Sequence, residues 1–579
     1  MKIITLHCDY IKFKALKKAV KDAEELDAKS QTEIKVTECL AVLTAIEKGD
    51  SKETLSELIK AIEKTSKEVN ANNIVLYPYA HLSSNLASPK IALNLLLDAE
   101  KILKKNKSFQ IVERAPFGYY KSLELKVKGH PLSELSKEFK SPDSFSQNQI
   151  HEEEIDIKEL LSKMSRNKVS FKKPPKGLKS NVELGRDLDL YVVNEVVGGG
   201  LPLLTPEGAT IKREIERFIV DEEIKRGYKH TSTPVLAKSD LYKISGHWQH
   251  YKNDMFVMDV RGKKFALRPM TCPFQFILYK RKPRSYKELP IKYAEIASLF
   301  RNEQSGELRG LTRLRQFTLA DAHIICREDQ VEQEFIEALD LIKYVMRKLG
   351  IEEHIWYRFS KWDQKNKEKY IQNPKAWNKS QDMMKRILDK IKIKYIEADG
   401  EAAFYGPKLD LQYKDVYGKE DTLLTIQVDF ALPERYDMTY KDEKNIEQRP
   451  MVIHRSSTGA TERMISFLLE KTQGLLPLWL SPRQIRVISF TDRNIKEAEK
   501  LELQLKEKIP GLKIDSDLRS DTVQGKIRDA ELLKINYIIV IGDKEEKSKT
   551  LAVRQRGQKP KFGIKFLDFV NDLKKELDN

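Results

Sequence analysis

Cysteine is scarce in this chain of 579 residues, and long apolar stretches are missing. The four cysteines, at positions 8, 39, 272 and 326, are too few and too scattered for a disulfide framework. We therefore expect a reducing, cytoplasmic compartment in which the thiols are free to bind metal. The most apolar stretches, such as 91–97, fall far short of the roughly 20 residues that a membrane-spanning helix needs, so secretion and membrane insertion are both disfavoured.

The common local signatures of catalysis are also missing. The sequence contains no Walker-type glycine-rich loop, no His-Glu-x-x-His and no Gly-x-Ser-x-Gly. Three glycines at 198–200 precede Leu201-Pro202, and they do not open a helix after a strand. This context excludes dinucleotide binding and is typical of a flexible loop.

The composition is otherwise that of a soluble globular protein. Hydrophobic residues make up 40% and charged residues 33%, and the length points to about three to five domains. The 104 basic and 87 acidic residues give a net charge of +17, which favours an anionic partner such as nucleic acid. A lysine-rich proteome would give the same balance without such a partner.

The pattern of apolar residues predicts several domains. Residues 1–140 alternate between predicted helices and strands, for example a helix that starts near Asp50 and Glu53 and a half-buried strand at 123–127. Residues 141–185 are polar and are predicted to be a linker, with one helix near 157–164. Residues 482–579 are predicted to form a small α/β domain with a parallel core.

The region 186–481 has the pattern of an antiparallel sheet. Between 424 and 430, apolar residues alternate with Thr425, Gln427 and Asp429, so one sheet face is buried and the other carries polar groups. Such a polar face suits a substrate.

Dense polar segments in this region carry arginines in pairs. They are Phe300-Arg301-Asn302-Glu303, the segment 310–317 with Arg313 and Arg315, Asp321-Ala322-His323, and Gly459-Ala460-Thr461-Glu462-Arg463. Paired arginines on strands that border a loop suit the binding of a bent polyphosphate, because the guanidinium is always charged and binds bidentately. Surface salt bridges are the alternative for each arginine taken alone.

These segments resemble the motifs of class II aminoacyl-tRNA synthetases. The strand with Arg301 and the returning strand with Arg313 and Phe317 resemble motif 2, the segment 459–467 resembles motif 3, and Thr233-Pro234 resembles the dimer-forming motif 1. Further segments resemble threonyl-tRNA synthetases in particular: Arg268-Pro269-Met270-Thr271-Cys272-Pro273, Asp321-Ala322-His323, Phe404-Tyr405-Gly406-Pro407-Lys408 and Ile453-His454-Arg455.

The first 140 residues resemble the editing domain of the archaeal members of that family, which is related to D-aminoacyl-tRNA deacylases. The segments that carry this likeness are 77–84, 116–121 and 129–134. The resemblance implies a multidomain α/β and α+β fold: an editing domain at 1–140, a linker at 141–185, a class II antiparallel sheet with flanking helices at 186–481, and an α/β anticodon-binding domain at 482–579. It also implies a cytoplasmic homodimer that binds no membrane.

The implied activity is that of a threonine–tRNA ligase, which joins threonine, ATP and threonine tRNA and hydrolyses mischarged seryl-tRNA at a second site. One alternative is a synthetase-derived RNA-binding or regulatory protein without catalysis. The retention of Arg301, Arg463 and three metal-ligand candidates argues against that alternative. A synthetase for another amino acid would need a different metal or pocket set.

The resemblance assigns a zinc site that sequence spacing alone does not indicate. Its ligands would be Cys272, His323 and His454, with one zinc per chain and open positions for the amino and hydroxyl groups of threonine. Valine has no hydroxyl to coordinate, so a metal rejects it far better than an apolar pocket can. Asp321 would accept from the substrate hydroxyl, and Tyr405 would help enclose the amino acid. Lys408 is a further substrate-binding candidate.

For ATP, the resemblance implies that Arg301 bridges the carboxylate and the α-phosphate and that Arg313 holds the γ-phosphate. Glu303 would approach the adenine, and Arg463 would stack on the base or bind phosphate. Gln427 lies on the polar side of its strand, where it could touch the adenosine. Mg²⁺ is expected to bridge the phosphates.

Zinc cannot reject serine, because serine lacks only a methyl group, which is worth roughly 1–3 kcal/mol, so an editing site is expected. With the resemblance, Lys121, Tyr120, His81 and Glu134 are candidates to surround the ester, a water and the ribose, and His130 is a weaker candidate that orders the turn. Lys121 is separated from the apolar residues 123, 125 and 127 by even numbers of positions, so in a strand its side chain would point inward with theirs. The alternative is a turn residue whose ammonium reaches solvent.

In the C-terminal domain, Glu545 and Arg554 align with base-reading positions of the family. Lys534 and Ser520 stand where bacterial relatives carry arginine and asparagine, which puts those two contacts in doubt. Leu319-Ala320 also differs from the more polar pair expected before Asp321, so a local difference in the amino-acid pocket is expected.

Overall fold

The computed structural model describes residues 1–20, 23–26, 32–83, 85–139, 157–164, 174–366 and 369–578. Clustering of contacts divides the chain into two compact units, Met1–Glu154 and Ile155–Asn579. Most of the predicted linker, including its acidic cluster at 152–154, lies outside the described residues, as does Ser84. Among the helices of the described part, none has the length and apolar character needed to cross a membrane.

The described residues of the first unit form one sheet with two α-helices. Its strands are β1 (Lys2–Lys18), β2 (Ile34–Ala45), β3 (Asn73–Pro78), β4 (Ile111–Arg114), β5 (Tyr119–Val127) and β6 (Glu134–Glu138), and its helices are α1 (Lys52–Val69) and α2 (Pro89–Lys105). The strand order is β4-β3-β2-β1-β5, and β6 pairs with the first residues of β1. Strands β2, β3 and β4 run parallel, whereas β1 is antiparallel to its neighbours.

The predicted elements of this unit are present with shifted ends. Helix α1 is capped by the side chain of Ser51, which accepts from the amide of Glu53, and it buries the predicted face with Leu55 and Leu58. The short apolar run at 3–6 lies at the start of the much longer β1. In β5, Leu125 and Val127 are half-buried as expected, but Leu123 is 38% exposed.

The second unit contains the central sheet. Its first strands are β7 (Tyr191–Val192), β8 (Leu203–Leu204), β9 (Lys229–His230), β10 (Leu236–Lys238), β11 (Val257–Val260), β12 (Lys263–Leu267), β13 (Ile291–Phe300), β14 (Gln316–Cys326), β15 (Trp356–Lys361), β16 (Tyr395–Asp399), β17 (Lys408–Lys414), β18 (Glu420–Asp429), β19 (Tyr440–Lys441), β20 (Glu447–Gln448) and β21 (Met451–Ala460). Eight of them form one sheet in the order β16-β15-β17-β18-β21-β14-β13-β9. The sheet is antiparallel except for the two outermost pairs, as the sequence predicted for this region.

Helices surround this sheet. They are α3 (Ile157–Met164), α4 (Asn181–Asp187), α5 (Pro206–Lys225), α6 (Ser239–Ser245), α7 (His247–Tyr251), α8 (Cys272–Lys280), α9 (Val331–Lys348), α10 (Pro374–Lys390), α11 (Leu432–Arg435) and α12 (Thr461–Thr472). The predicted linker runs to residue 185, but α4 is anchored to the core, since Asn181 donates from its backbone and side-chain nitrogens to Glu470 on α12 at 3.0 and 2.7 Å.

The C-terminal part of this unit is a smaller sheet with helices. Its elements are β22 (Ile485–Ser489), α13 (Ile495–Lys508), β23 (Ile514–Asp517), α14 (Val523–Leu532), β24 (Tyr537–Ile541), α15 (Asp543–Ser548), β25 (Thr550–Gln555), β26 (Lys561–Lys565) and α16 (Phe566–Asp578). Strands β22, β23 and β24 form the predicted parallel core. The two strands that complete the sheet, β25 and β26, are antiparallel.

A buried ion pair joins α5 to the central sheet. Arg455 on β21 donates from Nη1 to Oε1 of Glu223 at 2.6 Å, and both side chains are at most 1% exposed. The guanidinium lies 4.0 Å from the ring centroid of Tyr228, and Ser457 also donates to Glu223. Removing one partner of such a pair leaves a buried charge without compensation.

We expect Glu223→Ala to lower the free energy of unfolding of the second unit by about 3–5 kcal/mol for this reason. The measurement is urea unfolding followed by tryptophan fluorescence, because all five tryptophans lie in this unit. The control is Lys500→Ala, which removes an exposed ion pair with Glu497 and should cost no more than about 1 kcal/mol. Equal effects of the two variants would contradict the assigned role of Glu223.

Candidate functional site

Four polar side chains form a row across the central sheet. His323 on β14 pairs in register with His454 on β21. His454 also pairs with Gln427 on β18, and Gln427 pairs with Lys408 on β17. Register partners in an antiparallel sheet project from the same face. The row therefore forms a polar floor, as the parity of Gln427 predicted.

A cavity of about 770 Å³ lies above this floor. It is lined by all the catalytic-domain residues that the sequence indicated: Cys272, Arg301, Glu303, Arg313, Asp321, His323, Tyr405, Lys408, Gln427, His454 and Arg463. These residues span almost 200 positions of sequence, and the sheet topology brings them together.

Cys272, His323 and His454 form a candidate metal centre. One ligand atom from each lies within 4.8 Å of the others, and all three residues are buried. Cys272 is the first residue of α8, directly after Thr271. Burial lowers the pKa of His323 well below its usual range, so that the imidazole is neutral and able to ligate.

Both histidines are oriented by a further hydrogen bond. Nδ1 of His323 lies 2.6 Å from Oε1 of Gln275, and Nε2 of His454 lies 2.8 Å from Oδ2 of Asp429. Metal-bound histidines usually donate their second ring N–H to such an oxygen. The donor set and its surroundings fit a zinc ion with open coordination positions.

Two residues bring further polar chemistry to the metal side of the cavity. Burial raises the pKa of Asp321 to about 6, and its carboxylate lies 4.0 Å from Nε2 of His323. The ring of Tyr405 stacks on His454 with 4.9 Å between centroids, and its hydroxyl donates to Gln427. Gln427 was predicted to touch adenosine, and the structure places it beside Tyr405 in the row that contains His454.

Close backbone packing fixes the position of Tyr405. A Cβ on the next residue, Gly406, would lie 1.9 Å from the carbonyl oxygen of Val428. Only glycine fits there, so the loop that carries Tyr405 lies directly against β18.

The three arginines predicted to bind ATP also line the cavity. Arg301 stacks its guanidinium on Phe317, 5.1 Å from the ring centroid. Arg463 donates from Nε to the carbonyl of Thr312 at 3.0 Å and from Nη1 to that of Thr422 at 2.7 Å, which fixes the direction of its guanidinium.

Arg313 and Lys408 have acidic partners. Arg313 donates from Nε to Glu303 at 2.8 Å and from Nη2 to Glu307 at 3.2 Å. Lys408 lies 3.2 Å from the fully buried carboxylate of Asp410. The residues predicted for the γ-phosphate and for adenine, Arg313 and Glu303, therefore pair with each other.

Lys121 in the first unit points inward. Its Nζ donates to the carbonyls of Pro116 and Tyr119 at 3.0 and 3.3 Å and lies 5.0 Å from the ring centroid of Tyr77. Burial lowers the pKa of this ammonium to about 8. The parity prediction for its side chain is thus confirmed, and the solvent-directed alternative is wrong.

The other editing candidates differ in surroundings. His81 is exposed, and its ring centroid lies 5.5 Å from that of Tyr79. The ring centroid of Tyr79 lies 6.3 Å from that of Tyr77, the ring that Lys121 contacts. Tyr120 is 64% exposed on the opposite side of β5. Glu134 is exposed and pairs with Leu6 on β1, and Leu6 packs against the same buried cluster as Tyr77.

His130 has two neighbours that suit its predicted role in the turn. Its Nδ1 accepts from the amide of Leu132 at 3.3 Å, and its Nε2 lies 2.8 Å from Nδ1 of His7. Both contacts hold the segment between β5 and β6 in place.

Comparison with known proteins identifies the family. Residues 1–139 match the model of the archaea-specific editing domain of threonyl-tRNA synthetase, 251–472 the class II tRNA synthetase core domain for G, H, P, S and T, and 484–576 an anticodon-binding domain. A crystal structure of the RNA-binding domain of threonyl-tRNA synthetase from Cryptosporidium parvum is 33% identical with a TM-score of 0.65, and the match covers 69% of this chain and 98% of that one. The chain belongs to the threonyl-tRNA synthetase family.

Other members of the family extend this result. The threonine–tRNA ligase of Clostridium botulinum strain Eklund 17B is 52% identical over 398 residues, which are 68% of this chain and 62% of the relative. A putative threonyl-tRNA synthetase from Aeropyrum pernix is 28% identical with a TM-score of 0.61, and the match covers 69% of this chain and 96% of that one. The chain thus spans about 62% of the length of the clostridial relative.

In the part of the chain that matches the anticodon-binding domain, the two base-reading candidates are on neighbouring elements. Glu545 lies in α15 and accepts from the amide of Gly542 at 3.2 Å. Arg554 lies on β25 and donates to Glu531 at 2.9 Å. Ser520 is exposed, and Lys534 has a left-handed backbone after α14 with a φ of 59°.

Sequence reasoning missed two residues of the candidate site, Gln275 and Asp429. Gln275 is one helical turn after Cys272, a spacing that places both on one side of α8. Asp429 was assigned to the polar side of its strand without a role. Neither residue carries a motif, so only the contact with a histidine reveals its part in the site.

Proposed function

We propose that this chain is a threonine–tRNA ligase with a separate editing site. It activates threonine with ATP, transfers it to threonine tRNA and hydrolyses mischarged seryl-tRNA in the N-terminal unit. The observation that carries this proposal is that the cluster of Cys272, His323 and His454 lines the same cavity as two arginines, Arg301 and Arg463. A zinc ion held by the three ligands would coordinate the amino and hydroxyl groups of threonine.

Selection of the amino acid depends on the residues around the metal ligands. Asp321 accepts a hydrogen bond from the hydroxyl of threonine, which valine cannot donate, so valine leaves a buried acceptor unpaired. Tyr405 stacks on His454 and closes this end of the cavity against water. The hydroxyl requirement separates threonine from apolar isosteres.

Adenylation depends on positioning and charge. The threonine carboxylate attacks the α-phosphate of ATP, and pyrophosphate leaves. Arg301 contacts the carboxylate and the α-phosphate, and Arg463, oriented by two carbonyls, contacts the nucleotide. Arg313 exchanges Glu303 and Glu307 for the γ-phosphate, and Mg²⁺ bound with the nucleotide would offset part of the phosphate charge.

Editing is assigned to the face of the first unit that carries Lys121. Serine also donates a hydroxyl, so the first site discriminates against it only by about 10–200-fold. Lys121 contacts the ester and stabilises charge on its carbonyl, and His81 and Glu134 surround the ribose and the water. Tyr120 projects from the opposite side of β5 and is not part of this site. The proposal includes a cytoplasmic homodimer, formed through the segment with Thr233-Pro234.

The proposed function is tested by ATP–pyrophosphate exchange with each of the twenty amino acids, followed by charging of purified tRNAs. Threonine should give the highest exchange rate, and threonine tRNA should be the substrate charged. Exchange with a different amino acid, or no exchange with any, would overturn the proposal.

Cys272→Ala should abolish threonine activation and remove a zinc that wild-type protein holds at about one per chain. The reason is that a Cys-His-His site loses its only thiolate. Metal analysis of purified protein and pyrophosphate exchange are the measurements. The matched control is Cys326→Ala, which removes a buried thiol outside the cluster and should keep its zinc. A wild-type protein that is zinc-free and fully active would refute this assignment.

Arg554→Ala should slow the charging of threonine tRNA, with a loss of about 1–3 kcal/mol of transition-state stabilisation. The rate of pyrophosphate exchange should stay nearly unchanged. Arg554 would lose a base contact in a domain that does not activate threonine. The control is Glu531→Gln, which keeps Arg554 but neutralises its partner. Equal losses in both assays would mean that Arg554 supports folding.

Lys121→Met should leave threonine activation and charging intact but let seryl-tRNA accumulate. In wild type, deacylation of seryl-tRNA should fall as the pH rises through about 8, because the ammonium loses its proton there. In the Lys121→Arg variant the side chain stays charged over this pH range. The deacylation activity that this variant retains should therefore not fall near pH 8.

The measurements are deacylation of preformed seryl-tRNA from pH 6.5 to 9.5, corrected for spontaneous hydrolysis, and thermal melting of each variant. Lys126→Met removes an exposed lysine from the same strand and serves as the control. Wild-type deacylation by a stably folded Lys121→Met variant would remove Lys121 from the editing mechanism.

A further inference from the structure

Two buried residues behind the candidate metal centre hold its histidines in opposite ways. Asp429 is 0% exposed, and so is Gln275. Each contacts one histidine ligand, as described above, and neither is a metal ligand itself. We propose, on the basis of the proposed function, that Asp429 and Gln275 are positioning residues. They select which ring nitrogen each histidine presents to zinc.

The carboxylate of Asp429 is fixed from both sides. Its Oδ1 accepts from the amides of Ala431 and Leu432 at 2.8 and 2.9 Å, the two amides at the start of α11. Its Oδ2 is therefore held on Nε2 of His454 at 2.8 Å. A carboxylate only accepts, so Nε2 carries the proton and Nδ1 offers its lone pair to the metal.

The amide of Gln275 is fixed by a chain of hydrogen bonds. The hydroxyl of Thr231 has acceptors in Glu295 and in the carbonyl of Ala294, at 3.1 and 3.3 Å, and uses its one proton there. It must then accept from Nε2 of Gln275, 2.9 Å away. This leaves Oε1 of Gln275 facing Nδ1 of His323.

His323 therefore carries its proton on Nδ1 and presents Nε2, whereas His454 presents Nδ1. The two supports also differ in charge: an anion lies behind His454 and a neutral amide behind His323. Because an anionic acceptor raises the basicity of a histidine ligand more than an amide does, Asp429 contributes more to metal affinity than Gln275.

Asp429→Asn distinguishes this role from simple packing. The one oxygen of asparagine is required by the amides of Ala431 and Leu432, so its NH₂ faces His454 and donates to Nε2. The proton of His454 then moves to Nδ1, which can no longer bind zinc. We expect the zinc dissociation constant to rise by about 100-fold, the upper end of what such partners contribute.

Gln275 provides a pair of variants with opposite outcomes. Gln275→Leu removes the acceptor and should weaken zinc binding by about 10-fold. Gln275→Glu keeps an acceptor toward Nδ1 of His323. The hydroxyl of Thr231 can turn its proton to the new carboxylate, because Glu295 keeps Arg268 and Thr233 as donors, so this variant should bind zinc at least as tightly as wild type. A residue with only a structural role would not separate these two substitutions by metal affinity.

The experiment uses full-length, metal-stripped protein. Zinc affinity is measured by competition with a chromophoric chelator, and Co²⁺ is added to read the thiolate charge-transfer and visible bands of the site. Asp410→Asn is the matched control. Asp410 is an equally buried carboxylate on the adjacent strand β17, and its side-chain partners, Ser360 and Lys408 among them, are not candidate zinc ligands. Melting temperatures of the metal-free variants report stability separately.

The outcomes separate two failures. If wild type binds no zinc that depends on Cys272, the proposed metal-based selection fails, and the positioning role falls with it. If wild type binds zinc and Asp429→Asn and Gln275→Leu bind it as tightly, only the positioning role is overturned. If Asp429→Asn does not fold, the contrast between Gln275→Leu and Gln275→Glu decides alone.

Discussion

The register of four neighbouring strands is the constraint on which the catalytic cavity depends. His323, His454, Gln427 and Lys408 lie side by side only because β14, β21, β18 and β17 pair without a slip at this row. A shift by one residue in any of them would turn its polar side chain to the opposite face. The adjacent residues prevent this: Ile324, Ile453, Ile426 and Leu409 all belong to one buried cluster under the sheet. Burial of apolar area on one face therefore maintains the chemistry on the other.

The opposite face also contains charge, and this limits how the sheet can be varied. Arg455 follows His454 directly and projects toward α5, where Glu223 neutralises it. Two consecutive residues of β21 thus have different roles: His454 belongs to the candidate metal centre, and Arg455 stabilises the packing of α5. The same helix leads to β9 and to Thr231, which orients Gln275, so the support of His323 is part of the general packing of the core.

Sequence patterns predicted the strands and helices well where periodicity was clear, as in α1 and in the polar parity of Gln427. They also predicted the membership of the cavity, because motif likeness carried Arg301, Arg463 and the metal ligands to specific positions. They did not predict partners that depend on tertiary contact, such as Asp429 and Gln275.

The pairing of Arg313 with Glu303 and Glu307 has an energetic consequence for nucleotide binding. A guanidinium that already has carboxylate partners gains less from a phosphate than one that is otherwise hydrated, because each new contact replaces an existing one. Binding of a triphosphate is then an exchange of anions around one cation. In the proposed adenylation, such an exchange would lower the gain in affinity at this residue. It would also leave two carboxylates beside the pyrophosphate, and their repulsion would favour release of that product.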